Sequence, residues 1–371
     1  MSKANMELSQ KKILLVINSF PEKAPGGREL LSKLIYSVLK KIFSSNLEVF
    51  FLTKPIKFNA KNFLGFFYGF VDGLNNQSIE LLLKKIEQAR VDIVFTDGSN
   101  LGAFVYIAKK KFPNVKFVTF FHNVEFYFFL NSFSKSKNLK LLFLTALIFF
   151  AERKAVKFSD NIICLNERDS SALFSFYGSG AHAIFPMALE DQYINSTYSA
   201  YRANQEEYIL FVGGLFYANE FGIRWFVENV VPEIKIKLLI VGRGFEKLRE
   251  ELEVKNKVQV IGATDDLQKY YANAKFIVAP IFDGSGMKTK IAEAMMFGKK
   301  VIGTTEAFMG YEDHLPDAGW LCNSKAEFIK VIMSVSEEVD INAFNNKLRK
   351  IYQENYSLES AEIKMRNILR N

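Results

Sequence analysis

The chain has 371 residues, 49% hydrophobic and 24% charged, with a formal net charge of +8 and a pI of about 9.1. That length exceeds one ordinary core and implies two domains of roughly 150–200 residues each, while the composition excludes a disordered chain. The positive balance admits a nucleic acid, an anionic membrane or phosphorylated small molecules as partners and does not choose among them.

In chain order, the opening "MSKANMELSQKK" lacks the apolar centre of a signal peptide. "KILLVINSF" (12–20) is a continuous apolar run with polar flanks, which predicts a buried parallel strand. "PEKAPGGREL" reads as a Gly/Pro loop, "LLSKLIYSVLKKIF" as a helix and "LEVFFL" as a second strand. "VDIVFTDG", "VKFVTFFHN" and "DNIICLN" repeat the pattern of a short β-rich run ending in a polar loop. Alternation of this kind predicts an α/β architecture with mostly parallel sheets. Polar sequence from 189 to 207 reads as a linker, and "YILFVGG", "IKLLIVG", "VQVIG", "FIVAP" and "KKVIGT" then restart the alternation. The expected division is therefore an N-terminal Rossmann-like domain, 1–200, and a C-terminal one, 201–371, facing a central cleft. The tail "LESAEIKMRNILRN" reads as a helix free to pack back on the first domain.

The basic excess is local. Between 109 and 160, Lys109, Lys110, Lys111, Lys116, Lys135, Lys137, Lys140, Arg153, Lys154 and Lys157 face only Glu125, Glu152 and Asp160. Many of the 37 Phe crowd the same half, as in "FLGFFYGF" and "FFHNVEFYFFLNSF". Singly, each Phe fits a core; together with lysines they fit a peripheral membrane surface. The longest uncharged apolar run, "LLFLTALIFFA", falls short of the ~20 residues a spanning helix needs. Cys164 and Cys322 have no metal-ligand spacing. The expectation is a cytoplasmic protein of a reducing compartment, with no structural zinc and no cofactor. No Ser-His-Asp, zinc or P-loop signature appears, and no nucleic-acid recognition motif accompanies the charge.

The richest stretch is "DGSGMKTKIAEAMMFG", from Asp283 to Gly298. It follows a strand, its glycines permit a tight turn, and a helix is expected to start near Met287. The first N–H groups of a helix lack partners and carry partial positive charge, so Lys288 and Lys290 there are unfavourable unless an anion is present. Met287, Ile291, Ala294, Met295 and Gly298 share one apolar face, with Glu293 off it on the side of Lys290. Spacing alone fits both a solvated i,i+3 ion pair and a carboxylate awaiting sugar hydroxyls.

"GSGMKTKIAEAMMFGKKVIGT" resembles the donor loop of one branch of the family 4 glycosyltransferases, which have the GT-B fold. "FVGGLFYANEFGIRWFVENVVP", "LLIVGRG", "VQVIGATDDLQKYYANAKFIVAP", "FHNVE" and "SDNIICLNERD" agree in order, densely in the C-terminal half and as scattered motifs before it. The resemblance implies a retaining, metal-independent transfer of a sugar from a nucleoside diphosphate, a UDP-sugar being favoured, to a hydroxyl. It places the ribose-binding carboxylate at Glu293 and the diphosphate site at Gly286, Met287, Lys288, Thr289 and Lys290. Ser285 stands where many members have an acidic residue for the donor sugar. Gly214 and Asn219 stand near the place of a basic pair, leaving Lys288 or Arg243 to supply charge. Gly26 and Gly27 match a loop used near the donor phosphates and the acceptor. His122 matches a donor-sugar or acceptor contact, the candidate catalytic position, and Asp97 and Glu125 are acceptor-side candidates. His182 and His314 read as loop residues without a partner pattern. The implied acceptor is a saccharide or lipid-linked saccharide of bacterial surface-polysaccharide synthesis, met at the inner, anionic face of a membrane. A non-catalytic partner that keeps the fold, and a sugar-nucleotide epimerase, are the rival readings.

Overall fold

The continuous apolar runs become buried parallel strands in the computed structural model, which describes residues 3–18, 27–52, 69–71, 73–201, 207–284, 286–338 and 344–370. The chain divides into two compact units, one of Met1–Met187 with Ala361–Asn371 and one of Ala188–Ser360.

The first unit holds β1 (Ile13–Asn18), β2 (Leu47–Leu52), β3 (Ile93–Asp97), β4 (Lys116–Phe121), β5 (Asn161–Cys164) and β6 (Ala183–Ile184). They form a six-stranded sheet in the order β2-β1-β3-β4-β5-β6, with every neighbouring pair parallel. Sequence order reverses between β1 and β3. Open α/β sheets bind ligands outside the carboxyl ends of strands at such a switch point. Asp97 is the last residue of β3 and therefore stands there. Helix Gly27–Phe43 follows β1 and buries Leu31, Leu34, Ile35, Val38, Leu39 and Ile42, the three-and-four spacing of one helical face.

Helices Glu125–Ser136 and Leu139–Phe158 follow β4 as a hairpin. The turn has a local cause. Lys137 closes the first helix in the left-handed region, at φ 51°, and the Asn138 side chain accepts from Lys140 N to open the second. The C-terminal helix Leu358–Arg370 ends within this unit. Glu362 pairs with Lys41 at 2.8 Å, and the carbonyls of Leu369 and Ile368 accept from Lys116 Nζ and Asn161 Nδ2 at 3.4 and 3.2 Å.

The second unit holds β7 (Tyr208–Val212), β8 (Lys237–Val241), β9 (Val258–Gly262), β10 (Ala274–Ala279), β11 (Val301–Gly303) and β12 (Gly319–Leu321). The order β12-β11-β10-β7-β8-β9, again all parallel, is that of a doubly wound dinucleotide-type sheet. Its switch point lies between β7 and β10. The polar stretch read as linker contains a short helix, Asn195–Tyr201. One aromatic holds it: Tyr198 is buried, donates to the Phe297 carbonyl at 3.2 Å and stacks on that ring.

Candidate functional site

At the switch point of the second sheet, β7 runs into Gly213-Gly214 and then helix Tyr217–Asn229, while β10 runs into the 280–288 loop and then helix Thr289–Met296. Neither helix has a side-chain cap at its N-terminus, and Thr289–Met296 has no acidic residue in its first turn. That helix starts at Thr289, two residues later than its spacing predicts, because Lys288 is still extended at φ −89°, ψ 112°.

Lys290 decides the character of this place. It is buried at 6% exposure, so the solvated i,i+3 pair with Glu293 is not what forms. Its Nζ donates to Asn219 Oδ1 at 2.9 Å and lies 4.2 Å from the centre of the Phe211 ring. Asn219 is itself held by donation from Nδ2 to the Gly214 carbonyl at 2.8 Å. Burial pulls the Lys290 ammonium down to about 7, against a raising effect of Glu293 and with a further lowering by Lys288. A buried cation whose hydrogen-bond partner is a neutral amide is charge-deficient, and an arriving anion would complete it. Lys288 differs. Its Nζ is pinned at 2.8 Å to both the Gly286 carbonyl and Glu306 Oε1. Glu293 is half-buried, accepts from Tyr271 Oη through Oε2 at 3.2 Å, and has its carboxyl pushed up by burial.

Backbone approach is closest at Gly213 and Gly242. A Cβ on Gly213 would stand 2.8 Å from Asn219 Nδ2 and 3.1 Å from Lys290 Nζ. A Cβ on Gly242 would stand 1.8 Å from the Gly213 carbonyl oxygen. The two strand-end turns therefore touch backbone to backbone, which only glycine permits. Gly214, the position singled out in the sequence, is roomier, its nearest neighbour being the Arg243 carbonyl at 3.8 Å. The Arg243 side chain is exposed.

In the first unit, Arg28, Gly98, Ser99, Asn100, His122 and Glu125 line a shallow depression. Asp97 lies beneath it at 2% exposure. Its Oδ1 is 2.7 Å from His122 Nε2, and its Oδ2 accepts from Ser32 Oγ. His122 is 4% exposed, and its Nδ1 is buried with no hydrogen-bond partner among the described residues. Strand register explains the meeting: Asp97 of β3 stands opposite Phe120 of β4, and His122 lies just beyond. A further carboxylate supports the rim. Glu152 is fully buried and accepts from the backbone N–H groups of Glu125 and Phe126 at 2.9 and 3.2 Å and from Tyr177 Oη at 2.8 Å.

The structure thus gathers Gly286, Met287, Lys288, Thr289, Lys290 and Glu293 on one loop and helix, and joins Gly214 to Lys290 through Asn219. It gathers Asp97, His122 and Glu125 in the other unit, with Gly27 opening the helix that carries Arg28 and Ser32. Gly26 and Ser285 lie outside the described residues. Gly213, Ser32, Arg28 and Glu152 were not singled out, and Asn219 was noted without a role. Only Asn219 had a signal, as the neutral residue near the place of an expected lysine. His182 does have a partner, its Nδ1 accepting from Ile162 N at 3.0 Å.

Residues 206–338 match the family described as glycosyl transferases group 1. A curated Klebsiella pneumoniae relative, described as an uncharacterized 44.6 kDa protein in the cps region, is 29% identical over 168 residues. That alignment covers 40% of this chain, and the chain spans 42% of the length of the relative. Among solved structures, Anabaena HepE in complex with UDP is similar over 96% of this chain and 99% of its own, at 15% identity and a TM-score of 0.66. Sucrose-phosphate synthase from Thermosynechococcus elongatus is similar over 97% and 98%, at 15% identity and a TM-score of 0.70. The two-sheet α/β architecture is that of these GT-B structures.

Proposed function

We propose that the protein is a glycosyltransferase that takes a sugar from a nucleoside-diphosphate donor and passes it to a hydroxyl. One observation carries the reading. The buried Lys290 ammonium, whose one hydrogen bond among the described residues is to a neutral amide, stands beside Gly213 at the switch point of a nucleotide-type sheet. It does so within the segment that matches the glycosyltransferase family. In this reading the helix start at Thr289 and Lys290 hold the diphosphate, and Glu293, whose Oε2 alone is engaged by Tyr271, receives the ribose hydroxyls. The bond between the anomeric carbon and the phosphate oxygen breaks. The bond to the acceptor oxygen forms on the same face, and the acceptor proton leaves to the departing phosphate. The chain's contribution is stabilisation of the charge that develops on that phosphate, by donors already in place.

UDP is the favoured leaving nucleotide, because HepE, a structure of the same fold, binds it. The relative in a cps region favours a surface-polysaccharide pathway. A lipid-linked saccharide at an anionic membrane is the acceptor that fits the hairpin of the first unit. Leu139, Leu142 and Phe143 are exposed there at 76%, 44% and 43%, beside exposed Lys137 and Lys140. Among the described residues no helix is long and apolar enough to cross a membrane.

Thermal-shift measurements with UDP, GDP, CMP and NAD test the reading. A nucleoside diphosphate raises the Tm, UDP most, and Glu293→Ala removes the rise. Absence of any shift with every nucleoside diphosphate overturns the proposal.

A further inference from the structure

Helix Glu125–Ser136 opens at Val124, whose side chain offers no cap. Its first N–H groups therefore need an acceptor from elsewhere. Glu152 supplies it from helix Leu139–Phe158: Oε1 accepts from Glu125 N at 2.9 Å and Oε2 from Phe126 N at 3.2 Å. A carboxylate there also faces the positive end of the helix dipole. The same side chain accepts from Tyr177 Oη at 2.8 Å and from the Ser99 hydroxyl. All of these partners are donors, and only the ionised carboxylate, with lone pairs and no hydrogen, serves them together. A backbone contact repeats the link. A Cβ on Gly102 would stand 2.0 Å from the Ala151 carbonyl oxygen and 2.4 Å from Ala155 N. The turn Ser99–Leu101 runs into Gly102, so it rests on the same helical turn that carries Glu152.

Ser99 and Glu125 are both walls of the depression, and they follow different strands, β3 and β4. Glu152 lies beneath them at 0% exposure, too deep to meet a ligand itself. We propose that Glu152 is the positioning residue of this depression: its carboxylate holds the Ser99 hydroxyl and the Glu125 backbone in one frame, so that loops from neighbouring strands present a single fixed rim. That an acceptor saccharide meets the rim rests on the glycosyltransferase reading, whereas the holding of the rim by Glu152 stands on the first unit alone. The chemistry ties the charge to the rim. A neutral side chain of the same size cannot accept from every one of these donors, and burying a charge among uncharged groups is costly. Burial accordingly pushes the Glu152 carboxyl up to about 7. Facing it are the Tyr177 hydroxyl, from helix Glu167–Tyr177, and the Cys164 thiol, from β5. Burial, with the Glu152 charge adding, pushes both of these up, so both stay neutral while Glu152 titrates. Arg28, His122 and Glu125 are the other charged or titratable side chains of the depression.

Amide NMR of the isotope-labelled 371-residue chain tests this. An N–H that donates to a carboxylate shifts when that carboxylate gains a proton. The Glu125 and Phe126 amides should therefore titrate together, with a midpoint of about 7. Tyr177→Phe removes a donor to the ionised form and should move the midpoint to higher pH, whereas His122→Gln should leave it in place. In Glu152→Gln one oxygen becomes a donor. The titration should vanish, and hydrogen-exchange protection of the Glu125 and Phe126 amides should fall about tenfold or more, as the loss of a charge-assisted hydrogen bond requires. The Ser78 amide is the reference, since Asn75 Oδ1 caps it at 2.9 Å in another helix. It should keep its protection. Glu125 and Phe126 amides that do not titrate together in the wild-type protein overturn the positioning role. An equal fall at Ser78 also overturns it, because Glu152 would then be a general support of the fold. The wild-type titration decides even where Glu152→Gln fails to fold. UDP titrated into the wild-type and Glu152→Gln samples is the control for the second unit. Equal affinity is expected, and a loss confined to Glu152→Gln overturns the restriction of Glu152 to the first-unit rim. Absence of UDP binding by the wild-type protein overturns the glycosyltransferase reading and leaves the rim assignment standing.

Discussion

A lysine buried at 6% exposure, with a value of about 7 against an ordinary 10.5, makes stability depend on pH in a known direction. Its value is lowered on folding, so between about 7 and 10.5 the unfolded chain binds more protons than the folded one. Stability therefore rises with pH through that window, and the full cost of burying the charge is present below it. From pH 7 to 9.5 the gain is about 3 kcal/mol for the second unit, from about 1.4 kcal/mol per pH unit. Denaturant unfolding of ligand-free protein should show this rise, and Lys290→Met should flatten it. A slope unchanged by Lys290→Met would show that the ammonium is not the titrating group. The same logic explains why Lys288 is the lesser candidate for the diphosphate, since Glu306 at 2.8 Å already neutralises it.

At the scale of elements, the hairpin of Glu125–Ser136 and Leu139–Phe158 has a buried end and an exposed end. Glu152 organises the buried end. Its carboxyl is raised to about 7 by burial, although Ser99, Tyr177 and the backbone N–H groups of Phe126 and Glu125 pull the other way. This is a raised carboxylate, so its sign is opposite to that of Lys290: stability falls as pH rises from about 4.5 to about 7. Glu152→Ala leaves two backbone N–H groups and the Tyr177 hydroxyl without their acceptor. It should cost about 2–4 kcal/mol in equilibrium unfolding, and a loss below 1 kcal/mol would mean that water replaces the carboxylate. The exposed end carries the membrane reading. From Phe126 to Ala151 the hairpin holds Lys135, Lys137 and Lys140 and no acidic residue. Burying an exposed Leu or Phe in lipid is worth about 1.5–3 kcal/mol each, so a Leu139→Ser, Phe143→Ser double variant should lower partition onto anionic vesicles at least tenfold in flotation. Wild-type protein that stays wholly in the soluble fraction would end the membrane reading.

At the scale of the molecule, the two parallel sheets were legible because their central strands are uninterrupted apolar runs, as in Ile13–Asn18 and Tyr208–Val212. β6 and β12 were not, because two- and three-residue edge strands leave no periodic signal. The helix of Thr289–Met296 behind the last long strand was legible because its residues are contiguous. What it meets was not: Asn219 and Lys290 are 71 positions apart, and Asp97 and His122 meet only because β3 and β4 are neighbours. Strand order is a tertiary fact, and it is what turns separate polar residues into two sites at two switch points.

Titration calorimetry of the 371-residue chain with UDP bears most heavily on the nucleotide site. Saturable binding is expected, lost in both Lys290→Met and Glu293→Ala and kept in Asp97→Asn, whose change lies in the other unit. No binding by the wild-type protein, or affinity unchanged in both second-unit variants, would contradict the proposed nucleotide site.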